Sequence, residues 1–184
     1  MVGTWESSPV IAPLSMGGPT GLNLQVQGTG TAISFTASVF LNDVEIASGS
    51  STERNMISTT DTFDIGMTAD RVDLLEGDTL SVSIRFNAGM SRGMQLNFNP
   101  SLPSALMIGS SMAPVDVHHH AHGDHMDVTA SVILPWGPGS YAGAVAILEG
   151  DEEVVEREVD SMEELEGEGK LLVFLNVGTA EAPK

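Results

Sequence analysis

Hydrophobic residues occupy every second position in several short segments of the chain, and these segments are rich in Val, Ile, Thr and Phe. Because successive side chains of a β-strand point to opposite faces, the alternation predicts strands with one buried and one solvated face. The first part of the chain carries it in residues 22–27, 31–41, 62–67, 79–86 and 93–98. We expect two apolar stripes in the core, namely Ile33, Phe35, Ala37, Val39 and Leu41, and Leu80, Val82, Ile84 and Phe86.

The alternation pauses after residue 98 and restarts beyond a histidine-rich stretch. The second part of the chain carries it in residues 127–134, 142–149, 153–159 and 170–177. Clusters of Gly, Ser, Asn and Asp separate the segments and supply turns, and residues 51–61 are predicted as a long loop. Ser161 and Glu164 have capping-box spacing, which predicts one helical turn before Gly167.

Many short strands without a long helical segment between them are typical of antiparallel sandwiches. The pattern therefore predicts an all-β protein of two tandem antiparallel β-sandwich modules, jelly-roll or immunoglobulin-like in type. We place an N-terminal β-sandwich at residues 1–113, a His-rich junction at 114–126 and a smaller immunoglobulin-like module at 127–184.

The chain is strongly acidic, with 25 acidic and 7 basic residues and a net charge of −18. Nucleic acid and anionic membranes repel such a surface, so we expect neither as a partner. The chain has no cysteine, which excludes disulfides and thiolate ligands. No apolar run approaches the ~20 residues that span a bilayer, so we expect no direct membrane insertion by this segment.

Several turn and strand motifs resemble modules of predicted surface proteins from uncultured marine archaea. In the first part they are residues 75–82 (LEGDTLSV), 92–96 (RGMQL) and 102–106 (LPSAL). In the second part, residues 134–138 (LPWGP) and 165–167 (LEG) are similar to the immunoglobulin-like modules that accompany them. The resemblance implies an exported, membrane-tethered surface protein, whose partners are other surface modules or an extracellular ligand. The linker-like composition of residues 178–184 also leads us to expect a piece of a longer protein.

All five histidines fall within residues 118–125. In an extended segment, alternate residues of this run share one face, and His119 lies on the other. Imidazoles on one face suit Zn(II), Cu(II) or Ni(II). Elsewhere, the carboxylates of Asp151, Glu152 and Glu153, which we expect in a solvated loop, leave Ca(II) open as a further ion. We predict as metal ligands His118, His120, His122, Asp124 and His125, and we expect Asp116 and Asp127 to orient ring N–H groups. The alternative is a solvated linker that binds metal only weakly.

Residues 120–125 (HAHGDH) also resemble the HxHxDH motif of the metallo-β-lactamase-like hydrolases. The resemblance implies zinc ligation by His120, His122, Asp124 and His125, and hydrolytic activity. That family requires further histidines downstream and layers of helices around its sheets. This chain departs from the pattern, because no histidine follows His125 and its strand pattern leaves no room for those helices.

The sequence thus favours a non-enzymatic, extracellular structural or surface module with a candidate divalent transition-metal site in the His-rich junction. A metal-dependent hydrolase or metal carrier built on the HxHxDH-like residues is the first alternative. A module that binds extracellular glycan is the second, with Trp5, Trp136 and Tyr141 as a stacking platform for sugars.

Overall fold

Antiparallel β-strands account for the architecture of this chain in its computed structural model. The structure describes residues 3–57, 60–99, 102–137, 145–149, 154–158, 160–165 and 170–178. These residues contain no helix, so the all-β prediction is confirmed. It follows that none of them forms a helix long and apolar enough to cross a membrane. The chain divides into two compact units, Met1–Ser111 and Met112–Lys184.

The first unit contains nine of the described strands. In chain order they are β1 (Gly3–Glu6), β2 (Leu14–Leu41), β3 (Val44–Ser50), β4 (Arg54–Met56), β5 (Thr60–Leu74), β6 (Leu80–Asn87), β7 (Met90–Asn99), β8 (Leu102–Pro103) and β9 (Ala105–Ser111). Each of the five segments predicted from alternation in this part lies on a strand. Residues 51–61, predicted as a loop, contain the short strand β4, and residues 58–59 lie outside the described residues.

Strand β2 is the centre of the first unit, because it pairs along both of its edges. Its first half pairs with β5 on one edge and with β9 and β7 on the other. Its second half pairs with β3 and β6. The sequence predicted two strands here, at 22–27 and 31–41, whereas the structure has one long strand whose register with β7 shifts between Gln27 and Thr29. At this shift Gly28 has a φ of 136°, and a Cβ there would lie 2.7 Å from Met94 Sδ, so glycine lets β7 approach.

Buried side chains from both halves of β2 and from their partner strands form the core of the first unit. Phe35 of the second half meets Phe63 of β5 edge to face, with ring centroids 5.0 Å apart. Gly49 of β3 lies against the backbone of Gly66 in β5. Four residues of the first predicted stripe are buried, while Leu41 is partly exposed. In the second stripe Leu80 and Ile84 are buried, and the other two are partly exposed.

Two turns of the first unit are joined by side-chain hydrogen bonds. The β2–β3 hairpin turns through Asn42 and Asp43, whose positive φ angles of 46° and 69° match the turn geometry favoured in two-residue hairpins. The Asn42 amide donates to Asp78 Oδ1 at 2.8 Å, and the Leu75 N–H donates to Asp78 Oδ2 at 2.7 Å. These bonds, the Leu75 one first, hold the pKa of the Asp78 carboxyl below its ordinary value.

The second unit contains six described strands. They are β10 (Asp116–Ala121), β11 (His125–Ile133), β12 (Val145–Glu149), β13 (Val154–Glu158), β14 (Ser161–Leu165) and β15 (Lys170–Gly178). A four-stranded sheet has the order β10-β11-β15-β14, and β12 pairs with β13 in a separate sheet. Val132 and Leu134 are buried, and Met112, Met162 and Val173 pack against them. All four alternating segments predicted for this part coincide with strands, although residues 142–144, 150–153 and 159 lie outside the described residues.

The helical turn predicted at Ser161 is wrong. Residues 161–165 form β14, which pairs antiparallel with β15 from Ser161 opposite Phe174 to Leu165 opposite Lys170. The capping-box signal is local and weak, whereas a strand at this place gains a full set of hydrogen bonds from its neighbour. Gly167 and the segment 179–184 of the linker prediction lie outside the described residues.

Candidate metal centre

The histidine run forms a β-hairpin at one side of the four-stranded sheet in the second unit. Strand β10 pairs with β11 from Asp116 opposite Ser131 to Ala121 opposite Met126. The backbone N–H of His122 donates to the carbonyl of His125 at 2.7 Å, which closes a turn over Gly123 and Asp124. Gly-Asp is a favoured dipeptide for a two-residue hairpin loop. The segment that we predicted as a junction, 114–126, therefore lies within the second unit.

The hairpin register sorts the polar side chains of the run onto one face. His120 is opposite Asp127, and His118 is opposite Thr129. His122 follows His120 by two positions and His125 precedes Asp127 by two, so all four share a face. The other face carries His119 opposite Val128 and continues to the buried Val132. Every residue of β10 is exposed. Beyond its end, His122 and Asp127 are exposed and His125 is partly exposed.

Three of these side chains come close enough together to hold a metal ion. His122, His125 and Asp127 each offer a donor atom, and these donors lie within 4.8 Å of one another. His122 Nε2 donates a hydrogen bond to Asp127 Oδ2 at 3.1 Å, whose proton a bound ion would replace, and His125 Nε2 is 3.9 Å from Asp127 Oδ1. Bonds of ~2.0–2.1 Å to a tetrahedral ion place neighbouring donors about 3.3 Å apart. The two distances bracket that spacing.

The two imidazoles of the group stack on each other. The ring centroids of His122 and His125 are 4.3 Å apart, and the ring planes differ by 16°. Parallel rings cannot both aim a nitrogen lone pair at one ion, so binding requires at least one ring to turn about its second side-chain torsion. That torsion is soft, and the His122 side chain is 39% exposed, so the rotation costs little.

Asp124 lies behind His125 and fixes its ring. His125 Nδ1 is 2.7 Å from Asp124 Oδ1, and because an ionised carboxylate only accepts, Nδ1 carries the proton and donates. The Nε2 lone pair is then free and faces the Asp127 side. This is the arrangement in which an outer carboxylate orients a ligating imidazole. The hydrogen bond from His125, reinforced by its positive charge when protonated, lowers the pKa of the Asp124 carboxyl.

Among the five predicted ligands, the structure brings only His122 and His125 into this group. His118 Nε2 instead pairs with Asp116 Oδ2 at 3.0 Å, as expected for an orienting carboxylate, and its side chain is 78% exposed. His120 touches the group through its ring, which meets His122 edge to face at 4.8 Å. Asp124 stands outside it, beside His125.

The sequence did not predict Asp127 as a member of this group, because Asp127 was expected only to orient a ring N–H. The signal that could have placed it is the Gly123-Asp124 turn. Pairing the strands on either side of a two-residue loop puts Asp127 opposite His120, on the face of the ring cluster.

Two imidazoles and one carboxylate form a donor set for borderline divalent ions. Imidazole suits Zn(II), Cu(II) and Ni(II), whereas Ca(II) takes oxygen ligands in larger number. The group could therefore hold a transition metal through three protein ligands. Of the aromatic residues considered for glycan stacking, Trp5 is 38% exposed on β1, Trp136 lies in the turn after β11, and Tyr141 lies outside the described residues.

Comparison with known protein families, with curated proteins and with solved structures finds no match for this chain.

Proposed function

We propose that this chain is a non-enzymatic structural module of an exported surface protein, and that its second unit binds a divalent transition metal at the β10–β11 hairpin. The observation that carries the metal site is the convergence of His122, His125 and Asp127, whose donors lie within 4.8 Å of one another. Zn(II), Cu(II) and Ni(II) are the ions that this donor set fits.

The proposal of a structural role draws on the architecture and on the charge. Antiparallel strands make up the described parts of both units, as expected for sandwich modules of jelly-roll or immunoglobulin-like type. The net charge of −18 keeps such a segment soluble and monomeric when it is exposed outside the cell. The resemblance to archaeal surface modules supports export and tethering in a longer protein, with other modules or an extracellular ligand as partners.

A metal bound at this hairpin would link its two strands. His122 lies at the end of the β10 side and His125 and Asp127 lie on β11, so one ion would tie the two strands together. Strand β10 has a partner on only one edge within the described sheet and is exposed along its length. Edge strands of this kind fray easily, and a cross-strand metal would hold this one in place.

The test uses the untagged full chain, purified without immobilised-metal chromatography. Elemental analysis should find about one equivalent of zinc, copper or nickel per chain after incubation with excess metal and removal of the unbound ion, and the bound metal should raise the melting temperature. His125→Ala should abolish both effects. His118→Ala, which removes a histidine outside the group, is the matched control and should keep them.

Loss of metal to the same small extent in both variants would mean weak binding by the whole run and would refute the site. The competing hydrolase hypothesis is tested on the same protein. Turnover of ester, lactam or phosphodiester substrates by zinc-loaded protein, lost in His125→Ala, would replace the structural role with a catalytic one.

A further inference from the structure

Four metal-binding side chains occupy adjacent positions on one face of the hairpin, two on each side. His120 and His122 are two residues apart, as are His125 and Asp127, and the register places His120 directly opposite Asp127. Side chains directly opposite across antiparallel strands have Cβ atoms about 4.5–5.5 Å apart. His120 is therefore as near to Asp127 in the fold as His122 is to His125.

We infer that His120 is the fourth ligand of the site and that the ion it completes is Zn(II), held by three imidazoles and one carboxylate with no water in the coordination shell. This inference rests on the metal site proposed above and assigns its coordination and its ion. A zinc site with four protein ligands is structural, whereas a catalytic zinc keeps one position open.

The surroundings of the group leave His120 as the side chain able to close the shell. Its ring already touches His122, with centroids 4.8 Å apart and planes at 75°. It is exposed, and no hydrogen bond or ion pair of its side chain is present among the described residues, so turning toward the group breaks no contact of that kind.

The other candidates are committed elsewhere or face away. His118 lies one pair further from the turn and is bound to Asp116 at 3.0 Å. Asp124 is bound to the Nδ1 of His125, on the side of the ring opposite the donor nitrogen. His119 lies on the opposite face of β10, next to His120 in sequence but pointing away from the group.

The donor set also selects among the ions. Three nitrogens and one oxygen from four separate side chains can take tetrahedral positions, which Zn(II) prefers in closed sites. Cu(II) and Ni(II) favour square-planar or tetragonal arrangements. A tetrahedral four-ligand site therefore holds zinc without strain and reduces the advantage that Cu(II) has at open nitrogen sites.

The experiment compares zinc affinities of untagged full-length variants by competition with a chromophoric chelator. His120→Ala should weaken zinc binding by about 100-fold or more, because loss of a ligand exceeds the ~10–100-fold cost of losing an orienting partner. His119→Ala, the same substitution on the neighbouring residue of the opposite face, should change the affinity less than about threefold by the same comparison. Far-UV circular dichroism checks that both variants fold.

Cobalt substitution gives a second readout that reports coordination directly. Co(II) in the wild-type chain and in His119→Ala should show the intense visible absorption of a four-coordinate ion. In His120→Ala a solvent molecule should enter the shell, and the spectrum should change in shape and intensity.

The outcomes separate this inference from the proposed function. Equal zinc affinity and equal cobalt spectra for His120→Ala and His119→Ala would overturn His120 as a ligand. If His122→Ala and His125→Ala still lose zinc in that case, the three-ligand site stands. If those two variants also bind zinc like the wild type, the site itself is absent from the hairpin and both proposals fail.

Discussion

The two ring nitrogens of His125 face two different carboxylates, and this arrangement determines which nitrogen is available to bind a metal. Its Nδ1 donates to Asp124, 2.7 Å away, and its Nε2 faces Asp127 at 3.9 Å. The proton on Nδ1 leaves Nε2 as the only nitrogen with a free lone pair. In the proposed site, Asp124 is therefore a positioning residue and Asp127 is a ligand.

Removal of Asp124 should weaken metal binding without removing a ligand. We expect Asp124→Ala to raise the dissociation constant for zinc by about 10–100-fold, the usual cost of losing the group that orients a ligating imidazole. Asp124→Asn should restore most of the affinity, because its carbonyl oxygen still accepts from Nδ1. The comparison variant is Asp116→Ala, beside His118. The positioning role is excluded if Asp124→Ala and Asp116→Ala bind zinc equally well.

Asp78 should make the stability of the first unit depend on pH. Hydrogen bonds from Leu75 and Asn42 lower its pKa in the folded protein. Its contribution to stability is then complete above the unfolded pKa of about 3.9 and disappears as pH falls through the lower folded pKa. Asp78→Asn should lower the melting temperature at pH 7, and its difference from the wild type should shrink toward pH 2.

Glu76→Gln, in the same turn, is the control for this pH series. Glu76 is exposed, and no hydrogen bond or ion pair of its side chain is found within the described residues. We expect Glu76→Gln to have the same melting temperature as the wild type at pH 7 and near pH 2. A constant difference between Asp78→Asn and the wild type across the series would show that the carboxyl does not act through its ionisation.

At the scale of the elements, strands β3 and β5 approach each other closely at one glycine, Gly49. Gly49 lies where a Cβ would be 2.6 Å from the carbonyl oxygen of Gly66 and 2.7 Å from Met67 Cγ. Around Gly66 itself, an added Cβ meets nothing within 4 Å. The close approach of β3 to β5 at this point therefore requires that residue 49 has no side chain.

Gly49→Ala should destabilise the first unit by about 1–3 kcal/mol, the range for overpacking a close contact, because a backbone oxygen cannot move aside as a side chain can. Gly66→Ala should be neutral or slightly stabilising, since the space is open and alanine restricts the unfolded chain. Thermal or urea unfolding followed by circular dichroism measures both. Similar melting temperatures for the two variants would mean that β3 and β5 do not approach this closely at Gly49.

The strands that hydrophobic alternation predicts are those that bury one face. Residues 31–41 and 62–67 alternate between apolar and polar side chains, and both lie on strands that line the core. Strand β10 gave no such signal, because its six residues are all exposed and mostly polar. Its strand conformation comes from pairing with β11, which is a contact between segments and is not encoded in the local pattern.

For the candidate site too, some features were predictable from the local sequence and others depended on contacts between segments. The chemistry of the site was predictable from the sequence, since His122 and His125 belong to a run dense in metal ligands. The position of Asp127 beside His122 and His125 was not, because in a single extended segment the side chains alternate without reversal. A turn at Gly123-Asp124 reverses the chain, so the residue that shares a face with His120 lies on the opposite strand.

The whole molecule consists of two units that each have their own buried residues. The β10–β11 hairpin with the proposed metal site belongs to the second unit, and the close Gly49 contact belongs to the first. A ligand that binds only the folded state stabilises by about 2.7 kcal/mol at a concentration 100 times its dissociation constant. For a unit of this size, that corresponds to a rise in melting temperature of roughly 10–20 °C.

Differential scanning calorimetry should therefore resolve two transitions that respond to different changes. Zinc should raise the transition of the second unit and leave the other in place. Gly49→Ala should lower the transition of the first unit, and zinc should act on this variant as it does on the wild type. One transition that shifts as a whole under both changes would show that the units unfold together.

The most direct test is the anomalous diffraction of a crystal of the untagged, zinc-loaded chain, recorded on both sides of the zinc absorption edge. We predict one anomalous peak per chain at the β10–β11 hairpin, about 2.0–2.1 Å from the donor atoms of His122, His125 and Asp127. A peak at His118 or His119, peaks scattered along the run, or no peak at the hairpin would contradict the metal site.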